Sequence, residues 1–259
     1  MKAIWTGAIG FGLVNIPVKL YSASQRSEID LDMLDKKDHS HIHFKRVNEK
    51  TGKEVTWANI VKGYKYRNQY VIVTDEDFKH ASPKKSSIIE ITDFVKESDI
   101  ESIYFENPYY LSPEKSGTKA YALLKHALDK SGKAGIGTFV LRNKEHVCVL
   151  KPMGDGIVLN TIRYNEEIRD IKDLNIPKST KPSAGELKMA LTLIDHLTSK
   201  FDLKKFKDTY TADLLKVIHQ KAKTKGKDKK ISYPELKVTH RKKADDLMAQ
   251  LKASLKKAS

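Results

Sequence analysis

Cysteine is nearly absent from this 259-residue chain. Cys148 is the only one, so no disulfide can form within the chain and no cysteine-based zinc cluster can assemble, which fits a reducing compartment. Long apolar runs are missing as well, and none reaches the roughly 18 residues that a membrane span needs. The apolar stretch after Lys2 loosely mimics a signal peptide. It contains Gly7, Gly10, Gly12, Asn15 and Pro17, however, and Ile9, Phe11 and Leu13 alternate at the strand period, so it reads as strand. The motifs that carry much enzyme chemistry are lacking too. There is no GxxxxGK[ST], GxSxG or HExxH, and Gly7, Gly10 and Gly12 make a GxxGxG spacing instead of the dinucleotide fingerprint. No catalytic residue, cofactor or membrane partner is expected, and the chain reads as cytoplasmic.

What the chain has in excess is positive charge. Lys and Arg number 48 against 33 Asp and Glu, a net +15, while 39% hydrophobic residues suit a folded protein. The excess is polarised, with 27 basic against 24 acidic residues up to Ile176 and 21 against 9 beyond it. Such a distribution attracts a polyanion, either nucleic acid or an acidic membrane surface, and charge alone does not choose between them.

Up to about Tyr164 the pattern is mainly strand. Segments at 8–20, 42–47, 70–74, 87–95, 103–111, 136–142, 146–151 and 156–164 are rich in Val, Ile, Tyr and Phe and are separated by turn residues. Many short strands favour a barrel or sandwich. One helix interrupts them from about Ser116 to Ser131, with Gly132 as its stop. Beyond Asn175 the period becomes helical. Ser183 and Glu186 have capping-box spacing, followed by Leu187, Ala190, Leu191, Ile194 and Leu197, and a second helix is expected from Thr211 to Lys223. Six lysines between Lys221 and Lys230 read as a solvated linker. A short final helix carries Leu247, Met248, Leu251 and Leu255 as a narrow stripe. So far from the main core, it has little to bury that stripe against, which suggests a partner's groove.

Candidate chemical groups divide unevenly. His39, His41 and His43 share one face of an alternating segment and could bind a metal, but a polar hairpin entrance explains them better, and no metal is expected. Cys148 lies between Val147 and Val149 in a strand and reads as a buried structural thiol. Adjacent carboxylates such as Glu166 and Glu167 diverge on regular elements and suit a surface. Basic residues near strand ends and turns are more suggestive, among them Lys45, Arg46, Lys53, Lys62, Lys65, Arg67, Lys84, Lys85, Lys96, Arg142 and Lys144. No recognition helix, zinc finger or single-strand stacking motif accompanies them, so any DNA binding is expected to use backbone contacts without base readout.

Several segments in order resemble prokaryotic Ku, the DNA-end-binding protein family of bacterial non-homologous end joining. They are MKAIWTGAIGFGLVNIPVKLY at 1–21, FKRV at 44–47, IVKGY at 60–64, TDED at 74–77, PYYL at 108–111, KAYALL at 119–124 and VLRN at 140–143. DLMAQL at 246–251, with Ser254 and Leu255, resembles the family's segment that engages ligase D. One departure is that many relatives carry CxxCG after KRV, whereas Asn48 to Gly52 here read NEKTG, so a metal site built on those cysteines is absent.

The resemblance implies a mainly β protein with appended α: a Ku-like β-barrel core whose bridging arm closes a ring around a duplex end as a homodimer, and a helical C-terminal region. The expected divisions are 1–176 for the barrel and bridge, 177–223 for a helical arm, 224–238 for a basic linker and 239–259 for a ligase-docking helix. Expected DNA contacts, chosen as basic residues beside the matching motifs, are Lys45, Arg46, Lys62, Lys96, Arg142 and Lys144, and the expected ligase anchors are Leu247, Met248, Leu251 and Leu255. The implied partners are double-stranded DNA ends, a second copy and ATP-dependent ligase D, with association with the nucleoid. The alternatives are a histone-like DNA-packaging protein and an end-processing lyase.

Overall fold

The computed structural model describes residues 1–25, 27–81, 87–176, 181–223 and 247–258. These fall into two compact units, one of residues 1–27 and 31–173 and the other of residues 28–30 and 174–259.

The first unit is built on a closed seven-stranded barrel. Its strands are β1 (Trp5–Phe11), β2 (Val14–Ser22), β5 (Ile88–Lys96), β6 (Phe105–Pro113), β7 (Lys133–Leu141), β8 (Lys144–Met153) and β9 (Gly156–Ile162), in the spatial order β1-β2-β6-β9-β8-β7-β5. All neighbours are antiparallel except β1 and β5, whose parallel pairing closes the barrel. The core takes in Ile9, Ile16, Val18, Leu20, Ile89, Phe139, Val149, Leu150, Ile157 and Leu159; β2 alternates, burying Ile16, Val18 and Leu20 between more open residues, whereas β8 and β9 bury consecutive residues, Cys148 to Leu150 and Ile157 to Leu159. The stretch at 8–20, expected as one strand, is two. It folds back through Gly12 and Leu13, with Phe11 paired to Val14 and Gly12 at φ +56, a conformation glycine adopts without penalty.

The register fixes two distinct barrel ends. At one, β6 finishes at Pro113 and β7 begins at Lys133, joined by α2 (Thr118–Ser131). Tyr121, Leu124 and Leu128 of α2 are buried in the barrel core, and Gly132 ends the helix at φ +63. Tyr121 also stitches strands. Its Oη accepts from the Ile157 amide at 2.7 Å and donates to the Leu111 carbonyl at 2.6 Å, a residue pair that faces across β6 and β9. At the other end, β2 finishes at Ser22 and β5 begins at Ile88, so residues 23–87 leave and return there. Gly7 secures the return: the Ala8 amide donates to the Ser87 carbonyl at 2.8 Å, and a Cβ on Gly7 would lie 2.1 Å from that oxygen.

The second unit contains α3 (Ala184–Leu197), α4 (Thr209–Lys223) and α5 (Leu247–Ala258). The capping box at the start of α3 forms as its spacing predicts, with the Ser183 amide donating to Glu186 Oε2 at 2.8 Å and the Glu186 amide to Ser183 Oγ at 3.3 Å. The structure corrects one expectation: α5 does have something to pack against, because it lies beside α3.

Candidate nucleic-acid interface

Residues 23–87 form an arm in which no described side chain is buried. The strand expected at 42–47 is absent. Only isolated bridges form there, Leu34 with His41 and Val47 with Glu54, because that segment has no continuous partner to complete a ladder. The regular elements of the arm include β3 (Lys62–Tyr66) and β4 (Gln69–Val73), an isolated two-stranded ribbon, and α1 (Asp75–Ala81). Thr74 and Asp77 cap α1 reciprocally, and the hydrogen bonds from Thr74 hold the Asp77 carboxyl below its ordinary pKa. Large side chains stand in solvent along the arm, including Phe44 (80% exposed), Trp57 (69%), Tyr64 (66%) and Tyr70 (70%).

Some of the arm's cations rest on its aromatic rings. The Arg46 guanidinium lies 3.7 Å from the Trp57 ring centre and Lys62 Nζ lies 4.5 Å from that of Phe78. A ring face fixes the direction of a cation at a contribution of about 0.5–1 kcal/mol without consuming its hydrogen bonds, leaving it able to meet a phosphate. Lys45 is placed differently. Its Nζ pairs with Glu54 at 2.7 Å, so part of its charge is already answered.

Arg142 and Lys144 stand at the barrel end from which the arm springs. They flank the β7–β8 hairpin, in which Leu141 pairs with Lys144 and the loop residues Arg142 and Asn143 adopt φ of 52° and 66°. Two positive φ values make this a type I′ turn, for which asparagine or glycine is the undemanding choice. An arginine in this backbone region costs about 1–2 kcal/mol, which points to a function for its side chain. Nearby, His146 is held below the ordinary histidine pKa, first by burial and then by the Lys144 charge. Arg163 donates to the Ile103 and Phe105 carbonyls at 3.0 and 2.8 Å and is fixed at the same end.

Lys96 is not brought together with these residues. It faces Lys133 at the α2 end, and the nine residues of β7 separate that end from Arg142 by about 27 Å. Arg67, conversely, was not among the expected contacts yet shares the positive φ of Arg142 at a hairpin tip. It opens the two-residue Arg67-Asn68 loop between β3 and β4 at φ 52°, with its guanidinium 5.4 Å from the Tyr66 ring centre. The sequence signal was the repeated Arg-Asn dipeptide at two hairpin tips.

Other expected groups resolve simply. Cys148 is fully buried, and desolvation pushes its thiol pKa far up, leaving a packing residue. His41 lies in an isolated bridge, and among the described residues no group of three His, Cys, Asp or Glu side chains is placed to hold a metal ion. Among them, too, no helix is long and apolar enough to cross a membrane. Lys84 and Lys85, the linker at 224–238, and the side chains of Leu247 and Met248 lie outside the described residues. Leu251 and Leu255 are half-buried on α5.

The family described as the Ku70/Ku80 beta-barrel domain matches residues 10–189. The chain is 38% identical over 263 residues to a protein of Cupriavidus necator named non-homologous end joining protein Ku, covering 98% of this chain and 77% of that one. A Bacillus subtilis protein of the same name is 38% identical over 258 residues, covering 98% and 82%. An Archaeoglobus fulgidus protein, again so named, is 40% identical over 225 residues, covering 85% and 88%. Among solved structures, the SPOC domain of human PHD-finger protein 3 aligns with 62% of this chain and 95% of its own at a TM-score of 0.30 and 10% identity, too distant to carry an argument.

Proposed function

The chain belongs to the Ku β-barrel family, and from that membership we propose that it acts in non-homologous end joining as a non-catalytic homodimeric clamp on double-stranded DNA ends. The clamp recruits ATP-dependent ligase D through α5 (Leu247–Ala258), with Leu247, Met248, Leu251 and Leu255 as anchors. The observation that carries this reading is the arm. A segment of residues 23–87 with no buried described side chain, yet with exposed aromatic rings and ring-supported cations, is incomplete alone and suits a macromolecular partner. Two copies joined through such arms enclose a duplex. Retention then comes from topology, and the lining needs only scattered cations that touch phosphate without reading bases.

Lys45, Arg46, Lys62, Arg142 and Lys144 belong to the arm or to the barrel end beneath it and form the proposed DNA surface, joined by Arg67; Lys96 lies at the far end. The exposed apolar row of α3, Leu187, Leu191, Ile194 and Leu197, is assigned to the dimer interface. The decisive experiment compares a linear duplex with a closed circle of the same sequence. A threaded clamp binds the linear form strongly and the circle weakly, and blocking both ends of the linear form with bulky adducts abolishes the difference. Equal affinity for circle and linear DNA supports a packaging protein instead and overturns the clamp.

A further inference from the structure

Helix α3 carries two apolar rows. Leu187, Leu191, Ile194 and Leu197 are exposed by 50–67%, whereas Met189, Ala190 and Leu193 are half-buried on the adjoining row. Helix α5 packs against α3, and its Leu251 and Leu255, four residues apart and so on one face, are half-buried. Gln250, Lys252, Ala253 and Ser254 between and before them are exposed, so the leucine face of α5 is the covered one.

We infer that the Met189–Ala190–Leu193 row of α3 is a seat for this chain's own α5, and that the seated helix withholds Leu251 and Leu255 from an outside partner. The covered leucines are the same ones that a partner's groove would need. A helix cannot present one face to two grooves, so seating and partner binding exclude each other. Because seat and helix belong to one chain, the seat competes intramolecularly. The partner's apparent affinity is therefore its intrinsic affinity reduced by the fraction of chains in which α5 has left the seat. The seat itself stands on the α3–α5 packing alone, and only its consequence for ligase rests on the proposed function.

The test uses the full-length chain. Leu193→Asp places a charge on the seat, and Thr192→Asp places the same residue one position away on the exposed side of α3, which controls for helix propensity and folding. Amide hydrogen exchange of residues 247–258 is followed by mass spectrometry in both variants and in the unaltered chain. The expected result is exchange accelerated roughly tenfold in Leu193→Asp only. Unchanged exchange in Leu193→Asp, or equal acceleration in Thr192→Asp, overturns the seat. Binding to purified ligase D is then measured on the same chains. Withholding predicts roughly tenfold tighter binding for Leu193→Asp, and unchanged or weaker binding overturns it. Leu251→Ala with Leu255→Ala tests the ligase reading separately: unimpaired ligase binding in that variant refutes the reading while leaving the exchange result, and the seat, intact.

Discussion

Replacing Arg142 by Asn and Lys144 by Ala tests whether DNA engages the barrel end from which the arm springs. Asparagine keeps the left-handed backbone that Arg142 adopts at φ 52°, so the hairpin is preserved while the charge is lost. In a homodimer the double variant removes four cations. Each phosphate contact contributes about −0.9 to the slope of log affinity against log salt, so the slope should flatten by up to about 3.6. Between 50 and 200 mM salt, the unaltered protein should then lose about 150-fold more affinity than the variant does. Lys96→Ala is the matched comparison. Lys96 pairs with Lys133 at the opposite end of β7, a strand about 27 Å long and so well beyond the roughly 10 Å screening length at 0.1 M salt, and its removal should leave the slope unchanged. Fluorescence anisotropy with a duplex of about 30 base pairs, hairpin-closed at one end, reads both slopes. A slope that flattens by about 1.8 in Lys96→Ala, or that does not change in the double variant, refutes this placement of the DNA.

Three further outcomes follow from the geometry. Tyr121→Phe deletes a hydroxyl that serves the Ile157 amide and the Leu111 carbonyl, leaving buried polar groups unpaired. It should cost about 2 kcal/mol, seen as a fall in Tm of roughly 4–8 °C, and a loss below about 0.5 kcal/mol would show that the strands close without it. His146 has a folded-state pKa below its ordinary value, so the fold favours its neutral form. That contribution is present above about pH 6.5 and is lost as the pH falls through the lowered value, so melting between pH 7.5 and 5.5 should show a decline that His146→Gln lessens. Leu247→Ala with Leu251→Ala should weaken stimulation of ligase D in a nick-sealing assay while leaving end binding intact; equal loss of both activities would contradict the separate role of α5.

The barrel was largely legible in the residues because its strands are short runs rich in Val, Ile, Tyr and Phe that turn residues separate. The segments from Ile88 to Ile162 announce themselves by short apolar runs such as Val147 to Leu150 and Ile157 to Leu159 set between turn residues, and Gly132 and the Ser183–Glu186 box mark helix ends through local backbone chemistry. The arm was less legible for a physical reason. The sequence KGYKY of β3 buries nothing, so no hydrophobic period betrays it. Lys96 shows a different limit: proximity to a matching motif along the chain says nothing about which barrel end a residue occupies, since that depends on antiparallel register. The seat of α5 was hidden because α3 is apolar around much of its circumference, at Leu187, Met189, Ala190, Leu191, Leu193, Ile194 and Leu197. Periodicity alone could not say which row would be covered.

The parallel β1–β5 closure spans the whole arm, and this shapes how the protein can vary. Holding together the ends of an intervening segment of roughly 65 residues costs only about 1.7 kcal/mol more than closing one of ten, since closure entropy grows with the logarithm of length. The barrel is therefore nearly indifferent to the size of its insertion. Lengthening, shortening or reshaping the arm alters the surface it offers to a partner while barely taxing the scaffold that holds it, so reach and stability can change independently of one another.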